Sequence, residues 1–392
     1  MRLHLLDPTI RGSDAAPLRP RRRDRSRRVL QELLGRADIR LDGDRPWDIK
    51  VRDARMIDAV LAHGSLGAGE SYMDGWWDCE ALDAMFTRVL RARVTEHLNS
   101  LDERMAALLA IVRNPQTPRR ARRVGRQHYD LGDDVYQRML DPRMIYSCAY
   151  WRAGDSLASA QERKLDLVCR KLRLRAGMRV LDIGCGWGGA ARFAAERYGV
   201  EVVGCTISQH QAQVARQRCD GLPVEIRLLD YRELDGQFDR IFSIGMFEHV
   251  GERNYRGFFS KARALLAADG LLLLHTIGSN RSSRATDAWI EKYIFANSML
   301  PSIAQIGAAT ENLWVVEDWH SFGPHYDRTL MSWLENFEQH WPELASRYDE
   351  RFHRMWRYYL ASCAAAFRAR HNQLWQVLLS PAGIAGGLPE VR

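Results

Sequence analysis

The sequence predicts an α/β protein whose main part is a doubly wound parallel sheet, preceded by a small, mainly helical N-terminal domain. From Met178 onward, short apolar runs alternate with segments of helical periodicity, as in parallel βαβ units. The N-terminal part instead shows apolar residues at helical spacing, and the prolines and arginines of residues 113–126 interrupt both patterns. We therefore expect a small domain over residues 1–112, a basic linker over 113–126 and a larger domain over 127–392. Residues 1–28 are expected to form a basic, flexible tail.

The N-terminal part carries helix-like apolar spacing at Met56 and Val60, and again at Leu82 and Met85. Between these two stretches, the glycine-rich residues 64–77 predict a turn-rich segment with large aromatic side chains. We expect those aromatic side chains to pack the small domain or its contact with the larger one. Contact with lipid is the alternative.

The composition excludes several classes of protein. Hydrophobic residues make up 46% and charged residues 27% of the chain, as in a globular protein and unlike a disordered one. The longest aliphatic run, Leu271–Leu274, is far shorter than the roughly 20 residues that a membrane span requires. Met1–Asp7 has no long apolar stretch, and the seven cysteines form no C-x-x-C pair. We therefore expect a protein of the reducing cytoplasm, with no disulfide framework and no zinc site.

The formal net charge of +8 is concentrated in two basic clusters. Residues 19–28 hold seven arginines and one aspartate, and residues 113–126 hold six arginines and no acid. Such clusters predict contact with a polyanion, either an anionic membrane surface or nucleic acid. The absence of interleaved aromatic residues argues against nucleic acid. A solvated tail and a solvated linker are the alternatives.

A glycine-rich turn predicts a nucleotide-type site. Residues 179–183 have the pattern of a strand, and Gly184, Gly186 and Gly189 follow it with the spacing G-x-G-x-x-G. Glycines let the backbone approach a ligand closely, and the helix start behind the turn presents free N–H groups. A dinucleotide site also requires an acid about 20 residues later, at the end of the second strand, where this sequence has none. Asp182 instead suits a ligand with an amino group and no pyrophosphate, such as S-adenosylmethionine; a dinucleotide site and a plain turn are the alternatives.

Further strands complete the predicted sheet. They cover residues 201–205, 224–229, 240–244 and 271–277, and Ser208 is the expected N-cap of the helix after the first of them. Ligands of such sheets bind at the carboxyl ends of the strands. Polar residues that follow these strands are therefore candidate site residues.

Six motifs follow one another along the chain: His128–Gly132, Tyr146–Trp151, Val180–Gly189, Gly245–Gly251, Leu274–Gly278 and Glu317–His320. In order and spacing they resemble the motifs of cyclopropane-fatty-acyl-phospholipid synthases, and the small first domain resembles the bacterial branch that acts on phospholipids. The resemblance extends from about residue 64 to the C-terminus. The arginine-rich stretch up to Arg28 has no counterpart in it.

The resemblance implies a fold, a reaction and its cofactors. The fold is that of a class I S-adenosylmethionine-dependent methyltransferase. The reaction transfers a methylene group from S-adenosylmethionine to the cis double bond of an acyl chain in a membrane phospholipid. The alkene attacks the methyl group, and the resulting carbocation closes to a ring when a base removes one proton from the new methyl group. The base that the resemblance implies is bound bicarbonate, beside a dry apolar tunnel for the chain.

The resemblance also assigns site residues. The bicarbonate site that it implies consists of Cys148, Glu248, His275, Ile277 and Tyr326, with Cys148 and Ile277 acting through their backbone N–H groups. The cofactor contacts that it implies are Tyr146, Ser147, Asp182, Gly184, Gly186, Thr206, Ile207, Ser208, Gln211, Asp230 and Tyr231. Independently of it, Glu248 and His275 each stand at the carboxyl end of an apolar strand, where burial of a polar group is costly. A capped loop carboxylate and a satisfied core histidine are the alternatives.

Cys363 is a further candidate, as a catalytic thiol. It lies among apolar residues at helical spacing, so core packing is the main interpretation. Aromatic and aliphatic residues between 327 and 370 also recur at helical spacing, and we expect them to wall the acyl tunnel or to pack on the sheet.

We expect a cytoplasmic enzyme that associates peripherally with the inner membrane surface and binds no nucleic acid. The resemblance allows a homodimer. The alternatives are a methyltransferase that acts on an amine or makes a branched methyl chain, a nucleotide-binding oxidoreductase, and a basic adaptor for nucleic acid.

Overall fold

The computed structural model describes residues 20–94, 132–283 and 285–392. The predicted linker over residues 113–126 and most of the predicted tail over residues 1–28 lie outside these ranges. The division of the chain at that linker therefore stays a prediction.

The described N-terminal residues form helices around a short two-stranded ribbon. Its elements are α1 (Pro20–Gly35), β1 (Lys50–Val51), α2 (Arg55–Met73), β2 (Trp77–Asp78) and α3 (Leu82–Arg91). β1 and β2 pair antiparallel. Residues 20–28 of the predicted tail belong to α1.

The turn-rich segment predicted over residues 64–77 is mostly helical. α2 runs through to Met73, with one non-helical residue, Gly64, at φ 56° and ψ −127°. The glycines serve close packing instead: a Cβ on Gly69 would lie 2.2 Å from Cδ1 of the buried Trp289. The turn prediction is therefore wrong as far as Met73, because glycine marks both turns and close contacts.

The larger part of the described chain forms a seven-stranded sheet in the order β5-β4-β3-β6-β7-β9-β8. Its strands are β3 (Arg179–Ile183), β4 (Glu201–Thr206), β5 (Val224–Leu228), β6 (Phe238–Ile244), β7 (Leu266–Ser279), β8 (Val315–Ser321) and β9 (Asn372–Ser380). β3 to β7 are parallel, whereas β9 lies antiparallel between β7 and β8. The doubly wound sheet is confirmed, and the prediction of a wholly parallel one is wrong for β9. Two helices instead of one separate β8 from β9, so the chain reverses once more before it re-enters the sheet.

Helices cover the sheet and connect its strands. They are α4 (Asp133–Met139), α5 (Leu157–Lys171), α6 (Gly189–Tyr198), α7 (Gln209–Arg218), α8 (Glu252–Leu265), α9 (Ala288–Tyr293), α10 (Ile303–Thr310), α11 (Pro324–Leu344) and α12 (Glu350–Arg368). Ser208 caps α7 as predicted, because its side chain accepts a hydrogen bond from the backbone N–H of Gln211. Among the described residues, no helix combines the length and the apolar character that crossing a membrane would need.

The strand order reverses between β3 and β6, since the chain extends the sheet from β3 first to β4 and β5 and then, in the other direction, to β6. A crevice opens outside the carboxyl ends of the strands at such a reversal. The central strands are buried on both faces; Leu271 to Leu274 in β7, for example, are almost inaccessible. This rigid frame fixes the loops that follow β3, β4, β6 and β7.

The N-terminal helices share one buried core with α11 and α12. Arg354 of α12 crosses the contact, donating hydrogen bonds to the backbone carbonyls of Tyr72 and Trp77 and to the Asp78 carboxylate. Glu70 of α2 accepts hydrogen bonds from the side chains of residues 292 and 293 beside the crevice. Trp77 is buried. This agrees with the expectation that the aromatic side chains of residues 64–77 pack the small domain or its contact with the larger one.

Candidate active site

A cavity of about 210 Å³ lies at the carboxyl ends of β3, β4, β5 and β6. All eleven residues that the sequence analysis assigns to the cofactor line it: Tyr146, Ser147, Asp182, Gly184, Gly186, Thr206, Ile207, Ser208, Gln211, Asp230 and Tyr231. They come from loops that are far apart in the sequence, and the strand order brings them to one place. His249, Ala296 and Asn297 also line this cavity.

The glycine turn after β3 has a backbone that only glycine adopts without strain. Gly184, Gly186 and Gly188 have φ values of 89°, 53° and 80°. The N–H groups of Gly184 and Cys185 both donate to the carbonyl of Cys205 at 3.0 Å, which fixes the turn to β4. The turn thus forms a rigid, side-chain-poor wall of the cavity.

The turn after β4 holds its polar side chains in a closed hydrogen-bond set. The Thr206 hydroxyl donates to the Gln211 Oε1 atom at 3.0 Å and accepts from the Ser208 N–H at 3.2 Å. All three residues are buried. Their orientation is therefore fixed before any ligand arrives, which lowers the entropic cost of binding.

Asp230, after β5, is oriented by a residue that the sequence analysis did not identify. The Arg232 guanidinium donates two hydrogen bonds to the Asp230 carboxylate, at 2.8 and 2.7 Å. The Asp230 side chain also caps the short helical turn that begins at Tyr231. Nothing in the sequence pattern distinguishes Arg232 from the many other arginines of this chain.

Lys164 is a second cavity residue that the sequence analysis missed. It lies on α5, is fully buried, and donates a 2.9 Å hydrogen bond to the Ser147 hydroxyl. Burial lowers the Lys164 pKa to about 8, whereas burial raises the pKa of the facing Asp182 to about 8. The charge of each residue opposes the shift of the other.

Glu248 lies in the short helical turn that follows β6, and His275 lies within the neighbouring strand β7, paired with Ile244 at the end of β6. The Glu248 Oε1 atom accepts a 2.7 Å hydrogen bond from the Ile277 backbone N–H. Among the described residues, the buried Glu248 Oε2 and His275 Nε2 atoms have no hydrogen-bond partner, while His275 Nδ1 lies 3.3 Å from the Gln376 amide. Burial raises the Glu248 pKa to about 7, against the effect of the Ile277 N–H and the Thr276 hydroxyl. Burial lowers the His275 pKa well below its usual value, so the imidazole is neutral.

Cys148 and Tyr326 complete the predicted catalytic set. Cys148 is fully buried and its thiol donates to the Ala149 carbonyl at 3.2 Å. Burial raises the pKa of both the Cys148 thiol and the Tyr326 phenol, and the two groups interact electrostatically. Tyr326 also interacts electrostatically with Glu248, so these three groups lie near one another. None of the five predicted bicarbonate residues lines the cofactor cavity itself.

Cys363 lies on α12 in the same apolar region. Burial raises the pKa of its thiol to about 12, so the nucleophilic thiolate is not available near neutral pH. Aromatic rings surround this region: Tyr146 packs on Trp333, Tyr326 packs on Phe367, and the Tyr146 and Tyr359 hydroxyls are 2.7 Å apart. Helices α11 and α12 therefore supply aromatic side chains that pack against Tyr146 at the cofactor cavity. That they wall an acyl tunnel stays a prediction.

A family model described as mycolic acid cyclopropane synthetase matches residues 116–377. The chain is 52% identical over 366 residues to the cyclopropane-fatty-acyl-phospholipid synthase of Escherichia coli K12, covering 93% of this chain and 96% of the relative. It is 37% identical over 344 residues to the tuberculostearic acid methyltransferase of Mycobacterium tuberculosis, covering 80% and 78%.

Two solved structures are similar to this chain in fold. The mycolic acid cyclopropane synthase CmaA1, complexed with SAH and CTAB, has a TM-score of 0.62 and 36% identity, covering 66% of this chain and 97% of that one. Coclaurine N-methyltransferase, bound to N-methylheliamine and SAH, has a TM-score of 0.66 at 22% identity, covering 80% and 98%. The second likeness shows the fold alone. The fold is that of class I S-adenosylmethionine-dependent methyltransferases, as predicted.

Proposed function

The chain belongs to the mycolic acid cyclopropane synthetase family, and on this basis we propose that it makes cyclopropane fatty acids in membrane phospholipids. It is a transferase that adds a methylene group from S-adenosylmethionine to the cis double bond of an unsaturated acyl chain. The observation that carries this function is the 52% identity, over nearly the full length of both chains, to a cyclopropane-fatty-acyl-phospholipid synthase. The residues of the site, described next, support it.

The cofactor cavity fits S-adenosylmethionine. The cofactor supplies a methyl group on a sulfonium centre. At Gly184 and Gly186 the absence of side chains lets the cofactor approach the protein backbone closely. The buried Asp182 Oδ2 atom has no hydrogen-bond partner among the described residues and can accept a hydrogen bond from an amino group. Thr206 and Gln211 are held in place to bind hydroxyl groups, and Asp230 can accept from an exocyclic amine.

The apolar side of the site suits the carbocation chemistry. Aromatic rings of Tyr146, Tyr326 and Trp333 exclude water, which would otherwise trap the cation as an alcohol. The faces of these rings also stabilise positive charge. A base beside them then removes one proton from the new methyl group, and the ring closes.

We propose that Cys148, Glu248, His275, Ile277 and Tyr326 hold a bicarbonate ion that acts as this base. The unpartnered Glu248 Oε2 and His275 Nε2 atoms are what such an ion needs, because the carboxylate accepts its O–H group and a ring N–H donates to its oxygen. The other Glu248 oxygen already accepts a hydrogen bond from the Ile277 N–H. Ile277 therefore contributes through this one N–H, which Glu248 and the bicarbonate share. Bicarbonate supplies proton acceptance; the residues orient it and keep its surroundings dry.

We further propose peripheral association with the inner face of the membrane, aided by the arginines of residues 19–28 and 113–126, with each near-surface charge adding at most about 1 kcal/mol. Residues 1–112 are proposed as the lipid-associating domain and residues 127–392 as the catalytic one, in a homodimer. Sedimentation with vesicles that contain or lack anionic lipid tests the first point. Binding that ignores both anionic lipid and salt would remove the arginines from the account.

A second candidate function is formation of a branched methyl chain. The 37% identity to a tuberculostearic acid methyltransferase favours it over an amine acceptor. In both reactions the alkene attacks the same methyl group. In one, a base removes a proton and the ring closes; in the other, a separate hydride donor, such as a reduced nicotinamide, reduces the intermediate.

The test is incubation of the purified protein with S-adenosylmethionine and vesicles of an unsaturated phosphatidylethanolamine, followed by mass analysis of the acyl chains. Chains heavier by one CH2 support the proposal. Recovery of unmodified chains from protein that binds the cofactor would overturn it.

A further inference from the structure

Three polar side chains form a row across three strands of the sheet. Gln376 of β9 pairs directly with His275 of β7 on one side and with His320 of β8 on the other. Residues directly opposite each other in antiparallel strands place their side chains on the same face. Gln376 is 0% exposed and His275 is 1% exposed, so their polar groups depend on partners inside the protein.

The amide of Gln376 contacts one ring nitrogen of His275. Its Nε2 atom lies 3.3 Å from His275 Nδ1, whereas its Oε1 atom has no hydrogen-bond partner among the described residues. The amide nitrogen can only donate, so His275 Nδ1 accepts this hydrogen bond and carries no proton. The other ring nitrogen, His275 Nε2, is buried and has no hydrogen-bond partner in the described part of the chain.

The His275 ring is a neutral imidazole, because burial and the nearby charges of Lys164 and Lys171 lower its pKa well below the usual value. A neutral imidazole has one N–H group, and the hydrogen bond that one ring nitrogen makes decides which nitrogen carries the proton. A donor at Nδ1 therefore places the proton on Nε2. A carbonyl oxygen at Nδ1 would place the proton on Nδ1 and leave Nε2 as an acceptor.

We propose that Gln376 is a positioning residue that fixes the tautomer of His275, with the proton on Nε2, and so makes this ring a hydrogen-bond donor to a bound anion. The inference rests on the proposed function for the identity of the anion, bicarbonate. It adds the residue that sets the direction of the hydrogen bond. A ring protonated on Nδ1 would present a lone pair to the bicarbonate oxygen and repel it.

The alternative is that Gln376 only fills the space between the two histidines. The two roles differ in what a side chain of similar size without a donor would change. Loss of packing would change the stability and all kinetic constants together. Loss of the donor would change the ring protonation and the response to bicarbonate, and it would spare the cofactor, because Gln376 does not line the cofactor cavity.

The first measurement is NMR of the full-length protein with isotopically labelled histidine, in which proton–nitrogen correlations show which ring nitrogen carries the proton. His275→Asn lacks this ring, so the signals that it loses belong to His275. We expect the wild type to carry the proton on Nε2. Gln376→Met should populate the form with the proton on Nδ1.

The second measurement is turnover in the acyl-chain assay over a range of bicarbonate concentrations, in buffer freed of carbon dioxide. Gln376→Met should raise the bicarbonate concentration at half-maximal rate by about 10- to 100-fold, the usual effect of losing a partner that orients a ligating histidine. The KM for S-adenosylmethionine should change less than about threefold. Gln373→Met is the matched control on the same strand, because the Gln373 amide donates to the Arg370 carbonyl at 3.1 Å, and it should change neither value.

Combination of the two substitutions separates positioning from packing. In a His275→Asn protein, Gln376→Met should have no further effect on turnover, because Gln376 acts only through that ring. An additional loss equal to the one in the wild-type background would overturn the proposal.

A wild-type ring with its proton on Nδ1 would also overturn the proposal, and this result requires no variant to fold. A folded Gln376→Met protein with the wild-type tautomer and the wild-type response to bicarbonate would do the same. These outcomes are separate from the test of the proposed function. A protein that makes the heavier acyl chains while His275 carries its proton on Nδ1 would refute this inference and leave the proposed function standing.

Discussion

The carboxylate of Glu248, in the short helical turn after β6, accepts a 2.7 Å hydrogen bond from the backbone N–H of Ile277 in the neighbouring strand β7. The bond uses one carboxylate oxygen and leaves the other buried and unpartnered among the described residues. Tyr326 interacts electrostatically with both Glu248 and Cys148. An acid of this kind costs stability, which is expected where chemistry requires it.

Glu248→Gln should lower kcat by about 100-fold or more, the usual contribution of a group that serves proton transfer. The amide retains an oxygen for the Ile277 N–H, but it presents no carboxylate to the proposed bicarbonate. Affinity for S-adenosylhomocysteine should change less than about threefold, because Glu248 does not line the cofactor cavity. Glu311→Gln, an exposed change at the end of α10, is the control. Full turnover by Glu248→Gln would remove this residue from the mechanism.

The raised pKa of Glu248 predicts that the free energy of unfolding depends on pH. Burial raises the Glu248 pKa from 4.5 to about 7, so the folded state binds the proton more tightly than the unfolded state. The proton-linked stability is present below about pH 4.5 and is lost as the pH rises through about 7. Glu248→Gln should therefore gain stability relative to wild type between pH 5 and pH 8, by roughly 1–3 kcal/mol.

Urea unfolding of both proteins at the two pH values measures this difference. Comparison of the variants cancels the other titrating groups, which they share. A difference in unfolding free energy that stays constant from pH 5 to pH 8 would mean that Glu248 titrates normally in the folded chain.

Gly69→Ala tests the contact between α2 and the segment beside the cavity. The new Cβ would lie 2.2 Å from the buried Trp289 ring, so we expect a loss of about 1–3 kcal/mol in the free energy of unfolding. Gly257→Ala in α8 is the matched control, because nothing lies within 4 Å of its Cβ position. The control should be neutral or more stable by up to about 1 kcal/mol, since alanine favours the helix. Equal thermal stability of the two variants would contradict the observed packing.

Cys363→Ala should keep turnover within about twofold of wild type. The reaction needs no sulfur nucleophile, and burial raises the pKa of this thiol to about 12. The acyl-chain assay measures the rate, and Cys363→Ser, which adds a polar group of similar size, separates packing from chemistry. Loss of activity in both variants without loss of fold would restore Cys363 as a catalytic candidate.

Much of the site could be predicted because its signals are local in sequence. The glycine turn after β3 and the polar residues after β4 and β5 follow apolar strands directly, and the parallel order of those strands brings their ends together. Glu248 follows β6 as the same rule predicts, whereas β7 continues beyond His275 as far as Ser279. The resemblance then supplied their roles, which the fold alone does not determine.

Other features depend on tertiary contacts that no short pattern contains. Lys164 lies on a helix rich in charged residues, and only the packing of α5 on the sheet decides that this lysine is buried while Arg170 is exposed. The glycines of residues 64–73 predicted a turn, but Trp289, more than 200 residues away, explains Gly69. The reversed β9 results from the pairing of α11 with α12, which apolar spacing does not reveal.

Formation of a three-membered ring on the acyl chain is the reaction proposed for the apolar site next to the methyl donor. Proton NMR of phospholipid recovered after incubation with S-adenosylmethionine tests it most directly. We expect high-field signals of cyclopropane protons that grow as the olefinic proton signals disappear. A new methyl doublet without ring protons, or an N-methyl signal with the olefinic protons intact, would contradict it.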